Sequence, residues 1–170
     1  LIKEKINLRK LYNITLIFSA HGLPENKIKK GDPYQWQVEN TVKHLVTKLS
    51  IKNLNYILSY QSRVGPLKWI GPSTETIIKE EAKKKKIIIV VPVAFVSEHS
   101  ETLVELDIEY KKLAVENGCK DYIRVPAVTA NQDFINSLKS SILLAGDGDF
   151  FTSSIRCPDK FKKCPRLQNI

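Results

Sequence analysis

Two histidines stand where apolar runs stop. Ser19-Ala20-His21-Gly22-Leu23-Pro24 follows directly on the run Ile14 to Phe18, and Ser97-Glu98-His99-Ser100-Glu101-Thr102-Leu103 follows directly on the run Ile87 to Val96. Apolar runs bounded by polar residues read as buried strands. In an open α/β sheet the carboxyl ends of the strands face one crevice, so both histidines are expected at a common ligand site. Histidine takes and gives protons near neutral pH, and such a site suits proton transfer. After the second run, Glu98, Glu101 and Glu105 are spaced three and four apart. On a helix that spacing places them on one stripe, with Leu103, Leu106, Tyr110 and Leu113 on another that makes core. An acidic stripe is ordinarily a solvated face; beside His99 at a strand end it can also hold a divalent cation or relay protons.

These side chains need a frame. Four runs read as strands: Ile14–Ser19, Tyr56–Tyr60, Ile87–Val96 and Tyr122–Val125. Four helical patterns alternate with them. The first opens at Asp32 as cap with Pro33 at the first helical position and Gln35 in capping-box register, and carries Val38, Val42, Leu45 and Leu49 on one face. The others run over 73–84, 98–117 (stopped by Gly118) and 133–144. Alternating strand and helix predicts an α/β fold with a parallel, four-stranded, doubly wound sheet. The irregular stretch 61–72, with Gly65-Pro66 and Gly71-Pro72, follows a strand and therefore hangs over the crevice. Long loops of this kind tend to be functional. Its Trp69 is either a core anchor or a pocket residue, and Phe95 is likewise core or pocket wall; His44 reads as a surface residue of the first helix.

Length and composition narrow the partners. The 170 residues, 42% hydrophobic, suffice for one α/β domain, expected over 1–146, ahead of a basic, proline-containing tail over 147–170. No apolar stretch reaches membrane-spanning length. The start, Leu1-Ile2-Lys3-Glu4, has neither an initiating methionine nor a signal-peptide pattern, which predicts a piece of a longer protein. The formal charge is +9, yet the lysines are spread over helix faces and ends, as at Lys83–Lys86, without interleaved aromatics. Nucleic acid is therefore not an expected partner; attraction to anionic lipid headgroups stays open. Cys119, Cys157 and Cys164 are too few for a disulfide scaffold and fit a reducing compartment.

Together with Gly31-Asp32-Pro33-Tyr34, Gln61-Ser62-Arg63-Val64-Gly65-Pro66, Trp69-Ile70-Gly71-Pro72 and the run Glu101 to Tyr110, these segments resemble the carboxyl-terminal half of the ferrochelatases. Several separate motifs in one order make the match specific. The family inserts ferrous iron into protoporphyrin IX to make protohaem, a lyase reaction that ends haem biosynthesis. The resemblance implies one lobe of a two-lobed chelatase fold, with the porphyrin held between this lobe and the missing amino-terminal one. It makes His21 the acceptor of a pyrrole proton and Glu101 its acidic partner, and the metal meets the ring past this pair or from the opposite face. Glu98, His99 and Glu105 match a proton or metal path to solvent along a helix with a π-helical turn, and Tyr60, Ser62, Trp69 and Phe95 match the porphyrin pocket. Iron enters as substrate. No cofactor is required for the fold, and a [2Fe-2S] cluster is not expected, because the tail offers Cys157 and Cys164 where cluster-bearing members have three cysteines. Implied too are a peripheral membrane contact and an organellar location, the matrix side of the mitochondrial inner membrane, with a plastid-type organelle or the bacterial cytoplasm as alternatives. The rival is a non-catalytic metal- or tetrapyrrole-binding module on the same fold; it needs no paired base and acid.

Overall fold

A computed structural model describes residues 1–6, 13–146 and 157–164. The tail expected over 147–170 thus lies outside the described residues except for 157–164. Four strands, β1 (Ile14–His21), β2 (Tyr56–Gln61), β3 (Ile87–Pro92) and β4 (Asp121–Arg124), form one sheet in the order β2-β1-β3-β4. Every pairing is parallel. The chain leaves β1 for β2 on one side and then returns past β1 to β3 on the other. The carboxyl ends of β1 and β3 therefore flank the switch point at which such sheets open a crevice.

Strand alternation covers both faces with helix. Leu16, Phe18 and Ala20 of β1, with Ile89 and Val91 of β3, pack in one core with α1 (Ile2–Ile6) and with Val38, Val42 and Leu49 of α3 (Tyr34–Leu49). Ile17, Ile88 and Val90 point the other way, into a second core with Ile77, Ile78 and Ala82 of α4 (Thr74–Lys83) and Ala114 of α5 (Tyr110–Glu116). Period-two side-chain direction on a sheet buried on both sides explains why β1 reads as a continuous apolar run. It also determines which face receives His21: counting on from Ile17 through Ser19, His21 belongs to the α4–α5 side.

Helix starts follow local chemistry. The cap position of α3 is Pro33, one residue later than expected, and Asp32 Oδ1 just before it accepts the Tyr34 N–H at 2.9 Å. Gln35 does not close the capping box; its amide instead donates to Glu39 one turn on. Ser73 Oγ accepts the Thr76 N–H at the start of α4. Two short helices, α1 and α2 (Glu25–Lys29), carry too few apolar positions to show a period. The last helix, α6, runs Gln132–Gly146.

Two expected boundaries are corrected. β3 ends at Pro92 rather than Val96, because proline brings no N–H to the ladder and Ala94 turns into the left-handed region at φ 66°. The third helix begins at Glu101 rather than Glu98: residues Glu101–Glu109 wind as a π-helix, longer than the π-helical turn that the resemblance implies, and α5 follows. A π winding pairs an N–H with the carbonyl five residues back rather than four, as the Tyr110 N–H does with the Glu105 carbonyl at the end of this segment. Leu103, expected in the apolar stripe, is rotated outward to 46% exposure, while Leu106 remains fully buried. Residues 157–164 pack onto the start of α3, with Cys157, Phe161 and Cys164 buried against Trp36. Their backbone approaches so closely that a side chain on Gly31, at φ +91°, would sit 3.0 Å from the Lys162 nitrogen.

Candidate active site

The carboxyl ends of β1 and β2, the loop after β2 and the π-helix enclose an open cavity of about 830 Å³ lined by His21, Ser62, Trp69, Glu101, Val104 and Glu105, among others. His21 Nδ1 lies 2.7 Å from Glu101 Oε2, with the two side chains 42% and 34% exposed. An ionised carboxylate can only accept, so in this contact Nδ1 is the donor, and in the neutral imidazole that tautomer leaves the lone pair on Nε2. The Tyr34 hydroxyl donates to the His21 carbonyl at 2.9 Å, which fixes the backbone beneath the imidazole. Burial, and then the charge of Glu101, push the Tyr34 phenol above its ordinary value, so it holds its proton and remains a donor.

Glu105 is placed differently. Its Oε1 accepts from the Ser62 N–H at 2.9 Å and from the Tyr110 hydroxyl at 2.7 Å, and its Oε2 from the Ser62 hydroxyl at 2.5 Å and the Gln61 amide at 3.1 Å. Four donors on two oxygens occupy the carboxylate's main lone pairs. Glu101 has His21 and a longer contact from Ser62 at 3.4 Å. Of the two carboxylates, Glu101 is the one with capacity to spare. Residues 105 and 110 meet because the π winding brings positions five apart together, whereas an α-helix would have turned Tyr110 away.

Gln61 is the principal residue that sequence reasoning missed. Strand parity puts it on the π-helix side, and its Nε2 donates both to Glu105 and, at 3.1 Å, to the Glu101 carbonyl. Its orientation is settled from behind: the Ser19 hydroxyl donates to Gln61 Oε1 at 2.7 Å, which leaves Thr74 to donate to Ser19 at 2.8 Å, and Ser59 lies 2.9 Å from Thr74. Thr74 and Ser19 thus hand their hydrogens on toward Gln61, whose amide in turn donates to Glu105, while the Ser59 hydroxyl also reaches the Phe18 carbonyl at 3.3 Å. The signal was present as three polar residues, Ser19, Ser59 and Gln61, inside apolar strands.

The remaining expected site residues scatter. Ser62 and Trp69 line the cavity, Trp69 half-buried. Tyr60 borders it, yet is 1% exposed and belongs to the α3-side core, since strand parity turns it away from the π-helix. His99 and Phe95 do not line the cavity; their rings lie 5.2 Å apart, and His99 Nδ1 accepts the Glu101 N–H at 3.3 Å. Glu98 is drawn out of the acidic stripe to a salt bridge with Arg124 at 2.9 Å. Burial works to raise its carboxyl, but hydrogen bonds from Thr102, Arg124 and the Ala127 N–H outweigh it, and the net direction is below the ordinary value. Among the described residues, no group of three or more His, Cys, Asp or Glu side chains is placed to hold a metal ion.

Comparison with known proteins settles the family. A sequence model of the ferrochelatases matches residues 1–144. The chain belongs to the ferrochelatase family. A ferrochelatase of Pelagibacter ubique is 62% identical over 164 residues, covering 94% of this chain and 48% of that protein. Ferrochelatases of Rickettsia bellii and Rickettsia canadensis are 52% and 49% identical, each over 96% of this chain and 47% and 48% of their own lengths. The chain thus spans about half the length of the curated ferrochelatases it matches. These relatives are bacterial, and they lend no support to the mitochondrial and membrane expectations. No helix among the described residues is long and apolar enough to cross a membrane.

Proposed function

We propose that this chain is the catalytic carboxyl-terminal half of a ferrochelatase, a metal-inserting lyase that places ferrous iron in protoporphyrin IX, with His21 as proton acceptor and Glu101 as its acidic partner. The observation that carries the reading is the His21–Glu101 contact of 2.7 Å at the cavity, in a chain of this family. Iron carrying two positive charges replaces two pyrrole protons, so the site must shed as much charge as the metal brings. The lone pair on His21 Nε2 takes one proton from the ring, the imidazolium that forms is stabilised by the carboxylate on the other ring nitrogen, and once it releases that proton to solvent through the open cavity it takes the second in turn. The metal, as substrate, meets His21, Glu101 and the macrocycle's own nitrogens. Trp69 and Ser62 border the space for the porphyrin, and the other half of the protein closes over it. The reading takes the bacterial alternative for location and includes no [2Fe-2S] cluster; Cys157 and Cys164 serve to pack residues 157–164 on Trp36.

The test is His21→Ala in the protein with both halves, assayed anaerobically with ferrous iron and with zinc by porphyrin absorbance and fluorescence. Metal insertion is expected to vanish while porphyrin still binds. Near-normal turnover by a folded variant overturns the assignment.

A further inference from the structure

A nine-residue π-helix is an uncommon winding, usually confined to a single turn, so something outside the segment must hold it. β4 supplies the grip. Its two alternate residues, Tyr122 and Arg124, share the face turned to the π-helix. The Tyr122 hydroxyl donates to the Leu106 carbonyl at 2.7 Å. On the next residue of the π-helix, Arg124 forks onto Asp107, Nε to Oδ1 at 2.6 Å and Nη2 to Oδ2 at 2.7 Å. The same guanidinium's Nη1 contacts both oxygens of Glu98, at 2.9 and 3.0 Å. Its side chain is 10% exposed.

We propose that Arg124 is a positioning residue for metal insertion: one guanidinium ties both ends of segment 98–107 to the sheet and so sets the winding that presents Glu101 to His21. This inference rests on the functional reading above. Glu98 precedes Glu101 by three residues and Asp107 follows Glu105 by two, so the clamp brackets both carboxylates of the site. Arg124 ends an edge strand of the sheet in which β1, one of the two central strands, ends in His21. The separation of His21 and Glu101 is therefore referred to one rigid frame. Glu98 is fixed a second time, to the segment that follows β4, by the Ala127 N–H at 2.9 Å. A lysine keeps the charge but has no planar fork and cannot span both carboxylates in the same way.

The test compares Arg124→Lys, Arg124→Gln and Asp107→Asn with wild type in the protein with both halves. Three quantities are read: kcat and porphyrin KM well below the melting temperature, the thermal midpoint, and hydrogen exchange over 101–109. The clamp predicts that Arg124→Lys recovers most of the thermal midpoint lost in Arg124→Gln. It also predicts that kcat stays depressed about 10- to 100-fold with KM nearly unchanged, as a misplacement near 1 Å would give, and that exchange over 101–109 is faster. Asp107→Asn, which frees one end only, should follow in the same direction. Wild-type kcat and wild-type exchange in folded Arg124→Lys and Asp107→Asn overturn the clamp. If wild type itself makes no metalloporphyrin, the functional reading falls; the clamp then stands on accelerated exchange over 101–109, or falls with its absence.

Discussion

Two carboxylates four residues apart, Glu101 and Glu105, carry different loads in this site. Glu101→Gln removes the anion that faces His21 with little change of shape, so turnover should fall about 10²- to 10⁴-fold, the range of general acid–base contributions, with a thermal midpoint near wild type. Glu105→Gln has the opposite profile. It sets an amide NH₂ among donors, leaving a hydroxyl or the Ser62 N–H without an acceptor at a cost of about 1–3 kcal/mol, and denaturant unfolding of the chain should show that loss. Equal, small effects at both positions would return the stripe to the status of a solvated face. Glu98 shows itself through pH. Its folded pKa lies below the ordinary value, so its contribution is present above the unfolded Glu pKa of about 4.3 and is lost as pH falls through the folded one. Stability of Glu98→Gln should therefore decline less on acidification below that value than stability of wild type, measured by urea unfolding across pH.

At the level of elements, the meeting of β1 and β2 is as tight as the site itself. The Gly22 N–H donates to the Gln61 carbonyl at 2.9 Å, and a side chain on Gly22 would come within 3.0 Å of that carbonyl and 3.3 Å of the Trp69 ring. Gly22→Ala should therefore displace the loop 61–72 relative to β1 and shift Trp69 emission in a Trp36→Phe background, and in the protein with both halves it should raise porphyrin KM. An unchanged spectrum and KM would show that the loop yields without consequence. The core beneath is less forgiving. Phe18 is fully buried between α3 and the sheet, and Phe18→Ala is expected to cost about 3–5 kcal/mol, seen as a lowered urea midpoint with an unchanged m-value.

For the whole molecule, the proposed function has a consequence for what a chain spanning about half the length of its ferrochelatase relatives can do by itself. Two cores lie on opposite faces of a complete four-stranded sheet, so the chain should fold by itself and unfold cooperatively. Its cavity is open, and a flat apolar ring held on one side gains neither full burial nor fixed geometry. The isolated chain should bind protoporphyrin weakly and turn nothing over, whereas joining or adding the other half should restore metal insertion. Catalysis by the 170 residues alone at the rate of the two-half protein would show the crevice to be self-sufficient.

The sequence by itself determined the sheet, its burial on two sides and the placing of His21. Strand runs and their period of two are local properties, whereas the faces taken by Gln61 and Tyr60 became plain only with the register of β2 against β1. The Asp32 contact ahead of α3 and the cap of α4 at Ser73 are local too. The resemblance implied a π-helical turn in this helix, but its extent over residues 101–109 was decided only by the tertiary structure, through contacts from Tyr122 and Arg124, more than a dozen residues away in sequence. That winding brings Tyr110 to Glu105 and turns Leu103 outward, and the same guanidinium takes Glu98 out of the stripe in which its spacing had placed it. A spacing of three and four has meaning only once the helix type is known, and here the helix type is set by partners across the fold.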